Sequence, residues 1–279
     1  METASRFDKV RRYYDGFDEW SRLDSPAGAL EFERTLGVLE EWLSPGSRVL
    51  DLGGGPGRYA IALASAGHQV ALADLSEVLL ATARENIERA GVANNVESVE
   101  TVNACDLGLY DSESFDAVLA LGPFYHLCLE ADRAAAAREI ARVLRPDGLL
   151  AAAFIPRVSG LVGLFYRAAM APAQVTPEAL ERTARDGVFQ NASERGFQEG
   201  YYALPEEFAE LFEGCGLQKE ALISIRGIAY GQEQHLAQIR EQNPALYDTF
   251  LRLIGETQSD PAVLATSGHA LFLGRKTAG

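Results

Sequence analysis

Hydrophobic and polar positions along this chain alternate between two spacings. Short apolar runs at 48–52, 69–74, 96–102, 115–121 and 149–155 have the length of buried strands and are bounded by turn-forming residues. Between them, 58–66, 78–90 and 133–144 read as helices. Ser76 is placed to cap the second of these and Gly91 to end it, while Arg145-Pro146-Asp147-Gly148 stops the third. Strands alternating with helices predict a parallel sheet covered on both faces. The ends differ. Residues 1–42 read as two or three helices rich in aromatics (Phe7, Tyr13, Tyr14, Phe17, Trp20, Phe32). Residues 157–202 carry no strand pattern: an apolar helix at 161–170, a break at Pro172 and Pro177, and a helix at 177–186. This stretch reads as an insertion over the sheet edge. A helix at 206–215, a strand at 217–228, a largely polar helical stretch at 232–258 and a last strand at 269–275 complete the chain. Neither internal repeats nor low-complexity tracts interrupt it.

Composition narrows the function classes. With 279 residues, 47% hydrophobic and 23% charged, the chain suits one sizeable globular domain. A formal net charge of −15 argues against sequence-independent nucleic-acid binding, which needs a Lys/Arg footprint. Cys105, Cys128 and Cys215 are too few and too scattered for a disulfide framework or a zinc site, and suit a reduced, cytoplasmic protein. The N-terminus lacks a secretory apolar run, and no stretch has the ~20 apolar residues of a membrane span. No Asp/Glu/His cluster has metal-ligand spacing.

The segment Val49-Leu50-Asp51-Leu52-Gly53-Gly54-Gly55-Pro56-Gly57 concentrates the chemistry. An apolar strand runs through an acidic residue into a glycine turn and then a helix, so backbone comes close to something bound. A dinucleotide fold would show G-x-G-x-x-G; here the spacing is Gly53-x-Gly55-x-Gly57. Asp74 ends the next strand, where a carboxylate can accept both hydroxyls of a ribose. Asp106 follows the third strand and can accept an adenine amine. By themselves these residues also suit plainer roles: a tight turn, a helix cap and a loop residue.

Taken with Phe115-Asp116-Ala117-Val118-Leu119-Ala120-Leu121-Gly122-Pro123-Phe124-Tyr125-His126-Leu127 and Arg142-Val143-Leu144-Arg145-Pro146-Asp147-Gly148, the chain resembles the class I S-adenosylmethionine-dependent methyltransferases. It looks nearest to bacterial small-molecule enzymes with a GPLYHL-like segment, Phe124 standing where Leu is usual. The likeness runs from about 13 to 155, with weaker echoes to 275. It implies a Rossmann-like, mostly parallel seven-stranded α/β sheet with helices on both faces and an antiparallel last strand. It also implies a single methyltransferase domain: a helical N-terminal lid (1–42), a cofactor-binding core (43–156), a cap insertion (157–202) and the rest of the sheet with a helical insertion (203–279). S-adenosylmethionine would be the cofactor and S-adenosylhomocysteine the product. Gly53, Gly54 and Gly55 would back the methionine and ribose, with Asp51 beside them. Asp74 would hold the ribose diol, Leu75 would pack on adenine, Asp106 and Leu107 would bind its edge, and Leu121 would lie under the sulfonium. A sulfonium also tolerates Asp51, Asp74 and Asp106 better than a pyrophosphate does.

On the acceptor side, His126 and Tyr125 lie just past the fourth strand. An antiparallel last strand would bring His269 to the same edge. His126 is the candidate general base, with Tyr14 beside it at both cofactor and reaction centre. Tyr13, Tyr125 and His269 are substrate-side candidates, and Tyr13, Tyr14 and Trp20 candidate lid residues. Arg34 is a candidate for a carboxylate or for an ion pair with Glu31 or Glu33; Arg157, Arg167 and Arg195 would serve a substrate carboxylate. The expected reaction is O-methylation, at hydroxyl or carboxylate, of a small molecule or short peptide by a monomer or homodimer. No nucleic-acid, membrane or metal partner is expected. N-methylation, a non-catalytic S-adenosylmethionine-binding protein and an NAD-linked oxidoreductase are the alternatives, the last opposed by the glycine spacing.

Overall fold

A computed structural model describes residues 2–193 and 197–277. The strands are β1 (Arg48–Leu52), β2 (Gln69–Asp74), β3 (Val96–Thr101), β4 (Phe115–Ala120), β5 (Leu144–Pro156), β6 (Val188–Gln190), β7 (Glu199–Ala203), β8 (Leu217–Ser224) and β9 (Ala270–Lys276). The helices are α1 (Glu2–Asp15), α2 (Glu19–Arg22), α3 (Pro26–Trp42), α4 (Arg58–Ser65), α5 (Glu77–Ala90), α6 (Glu130–Val143), α7 (Arg157–Met170), α8 (Pro177–Asp186), α9 (Pro205–Glu213), α10 (Glu233–Gln242), α11 (Pro244–Thr257) and α12 (Pro261–Thr266).

The principal sheet runs β3-β2-β1-β4-β5-β9-β8. β1 to β5 are mutually parallel, and β9 lies antiparallel to both neighbours, Leu149 opposite Arg275 and Ser224 opposite Ala270. This is the expected doubly covered α/β sheet with its antiparallel last strand. Alternating residues sort to opposite faces. Leu50, Leu52, Val118, Leu150 and Phe272 pack with Ile140 of α6 and Phe208 and Phe212 of α9. Val49, Leu72, Leu119, Ala151 and Leu271 pack with Leu39 of α3, Leu63 of α4 and Leu80 of α5. Burial on both faces is why the strands read as continuous apolar runs.

The reversal in strand order falls between β1 and β4, where the carboxyl ends diverge and open sheets bind ligands. Local signals hold the crossovers there. Ser76 Oγ accepts from Leu79 N–H at the start of α5, and Gly91 ends that helix in the left-handed region at φ 71°.

Three expectations are corrected, and one helix is added. The stretch read as strandless holds two strands: β6 and β7 form a hairpin, and β7 continues the sheet by pairing in parallel with Ile155 and Pro156 at the end of β5. The helical stretch at 232–258 is two helices, because Asn243 caps a new helix whose first residue is Pro244. α12 was not anticipated. The strand expected to reach 228 ends at Ser224, whose hydroxyl accepts from Gly227 N–H and turns the chain.

Candidate active site

The glycine turn is fastened by hydrogen bonds and leaves no room for side chains at Gly53 and Gly54. Gly53 and Gly54 both donate to Ala73 O (2.7 and 3.2 Å), fastening the turn to the end of β2. Gly53 and Gly55 have φ of 74° and 54°, conformations that glycine adopts without strain. A Cβ on Gly54 would lie 2.4 Å from Asp51 Oδ2 and 2.3 Å from Leu72 Cδ1. Beneath the turn, Asp51 is 1% exposed. It accepts from the Ala60 N–H, while its Oδ2 has no hydrogen-bond partner among the described residues. Burial, and then the negative charge of Asp74, push its carboxyl up to about 7.

Asp74, at the end of β2, spans the gap to the turn. Its Oδ2 accepts from Gly55 N–H (2.9 Å) and its Oδ1 from Ser76 N–H (2.8 Å). Each oxygen keeps acceptor capacity, and the carboxylate cannot rotate away. Burial raises its pKa against these two hydrogen bonds.

These groups border one cavity at the carboxyl edge of the sheet, with about 1290 Å³ of empty volume counting its mouth. Of the sequence candidates, Tyr14, Asp51, Gly53, Gly54, Gly55, Asp74, Leu75, Leu121, Tyr125, His126 and His269 line it. Both histidines expected at this edge are there, with Tyr125 between them. Its ring stacks on His269 (centroids 5.5 Å, planes 12° apart) and lies 4.8 Å from that of His126.

Asp106 and Leu107 are not brought to the cavity. Asp106 is exposed and accepts from Gly108 N–H (3.1 Å), and the Leu107 N–H donates to Glu139 (2.8 Å). The chain reverses between them and β3 through the Asp106 N–H···O=C Asn103 bond, so Asn103 and Ala104 border the cavity instead. Tyr13 lies outside the lining, packed on Tyr14, Phe17 and Phe197. Trp20 also lies outside it, beneath the Arg58 guanidinium at 4.8 Å. Arg34 pairs with neither Glu31 nor Glu33; it donates to Gln258 Oε1 (2.8 Å). Arg157 binds Tyr202 O and Glu207, and Arg167 binds Gln174 over the Phe189 ring; neither lines the cavity. Arg195 lies outside the described residues.

Two polar assemblies face the cavity. Tyr14 Oη and His126 Nε2 are 2.7 Å apart. Burial pushes the His126 imidazole down to about 3 and the Tyr14 phenol well above its usual value, so both groups are neutral near pH 7. The second assembly was absent from the sequence reading. Arg22 of α2 bridges Glu19 and Glu31, and Glu31 reaches His269 Nδ1 (2.7 Å). Burial opposes the charge on Glu31, but His269, Arg22 and Arg226 outweigh it and hold its carboxyl well below the usual range. Gly28 lets α3 begin against α2: a Cβ there would sit 2.2 Å from Arg22 O. Among the described residues no group of three or more His, Cys, Asp or Glu side chains is placed to hold a metal ion, and no helix is long and apolar enough to cross a membrane.

The arrangement fits S-adenosylmethionine. Asp74 offers a fixed carboxylate to a diol, the glycine turn admits a ligand with no Cβ in the way, and the Asp51 carboxyl lies beneath that turn. A methyltransferase domain family matches residues 49–148. Over 119 residues, 42% of this chain, the sequence is 36% identical to tRNA 5-carboxymethoxyuridine methyltransferase of Escherichia coli K12. That match spans 43% of the relative, so the chain covers less than half the length of this curated relative. An S-adenosylmethionine-dependent methyltransferase from Methanosarcina mazei has the same fold (TM-score 0.61, 15% identity, 87% of this chain and 98% of that one). So does the Burkholderia thailandensis 1,6-didemethyltoxoflavin-N1-methyltransferase, solved with bound 1,6-didemethyltoxoflavin and S-adenosylhomocysteine (TM-score 0.60, 19% identity, 99% and 90%). Residues 49–148 thus match a methyltransferase domain, and the chain as a whole has the fold of S-adenosylmethionine-dependent methyltransferases.

Proposed function

We propose that the protein transfers a methyl group from S-adenosylmethionine to the hydroxyl of a small molecule. The observation that carries this reading is the Asp74 carboxylate, pinned by Gly55 and Ser76 in a cavity that Tyr14, Tyr125, His126 and His269 also line. S-adenosylmethionine supplies an electrophilic methyl group on a sulfonium. The chain's residues bind, align and desolvate. Asp74 holds the ribose diol, Leu75 packs on the base, and Asn103 and Ala104 border its edge in the place expected of Asp106 and Leu107. Asp51 faces the cationic end beside Gly53, Gly54 and Gly55, with Leu121 beneath the sulfur. Residues 1–42 act as the lid, since Phe7, Val10 and Tyr14 of α1 already line the cavity. Residues 157–202 form the cap.

Tyr14, Tyr125, His126 and His269 surround the acceptor. The neutral Tyr14–His126 pair orients its hydroxyl, and alignment with the methyl–sulfur bond in a water-poor site supplies most of the acceleration. A carboxylate acceptor is disfavoured because Arg22 is already shared by Glu19 and Glu31. A neutral amine also fits, and the Burkholderia neighbour is named as an N-methyltransferase. The Escherichia coli relative favours a second reading, tRNA as acceptor, which the net charge of −15 opposes. Methyl-labelled S-adenosylmethionine, incubated with the protein and either a small-molecule cell fraction or total tRNA, separates the two. We expect label in the small-molecule fraction; label in tRNA alone would overturn this choice of acceptor.

A further inference from the structure

We infer that His269, held through Nδ1 by the Glu31 carboxylate, accepts the acceptor's proton during methyl transfer. Glu31 is its positioning residue and balances the charge the ring gains. The inference rests on the methyltransferase reading above and deepens it by naming the proton's destination.

The two histidines at the cavity differ in which nitrogen is available. The Nε2 of His126 faces Tyr14 Oη at 2.7 Å, and that ring sits where burial opposes any gain of charge. His269 is arranged the other way. Its Nδ1 lies 2.7 Å from Glu31 Oε2, and Nε2 has no protein partner among the described residues. The His269 side chain keeps 21% exposure on the cavity, whereas Glu31 keeps 11% behind it. A carboxylate accepting from Nδ1–H fixes the tautomer in which Nε2 carries a free lone pair, the same division of labour as between base and orienting carboxylate in hydrolase triads.

The surroundings hold this geometry. Arg22 grips the other Glu31 oxygen at 3.1 Å, so the carboxylate cannot swing away. Tyr125 stacks on the imidazole and fixes its plane. The charged and titratable groups around the pair come from every packed element: Glu19 and Arg22 from α2, Glu31 from α3, Tyr125 from the turn after β4, and Arg226 from the turn after β8. Arg226 is itself paired with Glu233 at 3.0 Å.

The step balances. An oxygen lone pair of the acceptor forms the new O–C bond, and the C–S bond breaks with its electron pair staying on sulfur. The hydroxyl proton moves to His269 Nε2. The resulting imidazolium lies against Glu31, and the ring returns the proton to water after product leaves.

The test uses ¹⁵N-histidine-labelled full-length protein with S-adenosylhomocysteine, recorded where the rings are neutral. Four histidines simplify assignment, and His269→Asn identifies the signal. The expected wild-type spectrum has His269 as the Nδ1–H tautomer with Nε2 unprotonated. Glu31→Leu should shift it towards Nε2–H, and the milder Glu31→Gln should do so partially. A wild-type His269 already protonated on Nε2, or a tautomer unmoved by either variant, would overturn the inference. At saturating S-adenosylmethionine, His269→Asn should cut label transfer into the small-molecule fraction by about 100-fold or more, the scale of general base catalysis; transfer at the wild-type rate would also overturn it. Calorimetry on the same sample keeps the two readings apart. Absence of S-adenosylhomocysteine binding would sink the methyltransferase reading, whereas binding with a protonated Nε2 sinks only the role of His269.

Discussion

Replacing Asp74 by alanine removes the carboxylate proposed to hold the ribose beside the glycine turn. In the free protein its two oxygens satisfy the Gly55 and Ser76 N–H groups at 2.9 and 2.8 Å. In the complex they would also accept two ribose hydroxyls. A hydrogen bond to a charged group contributes about 1.5–3 kcal/mol. Loss of both ribose bonds, offset by water entering the space, should weaken S-adenosylhomocysteine binding by about 2–4 kcal/mol, roughly 30- to 1,000-fold in Kd. Titration calorimetry on wild type and variant measures this directly. A parallel melting curve guards against misreading, since the turn also loses two bonds in the free protein. A folded Asp74→Ala protein that binds within threefold of wild type would refute the argument and put the ribose elsewhere.

Other consequences follow from the same geometry. Gly28→Ala places a Cβ against the Arg22 carbonyl oxygen and should displace α2, lowering stability by about 1–3 kcal/mol and disturbing the Glu19–Arg22–Glu31 chain; an unchanged melting temperature would contradict this packing. Asp51, held near 7, should lose its proton when a cationic ligand binds beside it, so affinity should rise with pH through about 7. Calorimetry in buffers of different ionisation enthalpy should detect up to one proton released, and zero release at pH 6.5 would contradict the pairing. In the ligand-free protein the same raised pKa has the opposite consequence. The native state keeps a proton that the unfolded chain loses above about 3.8, so this contribution declines as pH rises towards about 7. His126 works the other way. Its folded pKa near 3 lies below the ordinary imidazole value of 6.5, so its contribution is whole above 6.5 and is lost as pH falls towards 3. His126→Asn should flatten that slope in melting temperature; parallel slopes in the two proteins would argue against a buried neutral ring.

The glycine turn and its link to Asp74 were legible because their signals are local. The β1 run, the glycine turn and Asp74 lie within 27 consecutive positions, and backbone constraints dictate their residue types. Asp106 misled because a carboxylate after β3 looks like a ligand, yet a tight reversal at Asn103 turns it outward. The β6–β7 hairpin escaped notice because its strands have three and five residues, too few for a period to emerge. Glu19 and Arg22 carry no signal in the sequence, and Glu31 entered only as an ion-pair candidate for Arg34. Their meaning depends on His269, 238 positions after Glu31, and only the antiparallel return of β9 beside β5 brings that residue to the cavity. Sequence period reports which face of an element is apolar; it is silent about which distant charge meets that face.

The most direct test is the structure of the protein crystallised with S-adenosylhomocysteine. The account predicts the nucleoside in the crevice between the Gly53 turn and Asp74, with both ribose hydroxyls on that carboxylate and the amino-acid end beside Asp51. Density for the ligand at a remote pocket, or a crevice left empty at saturating ligand, would contradict it.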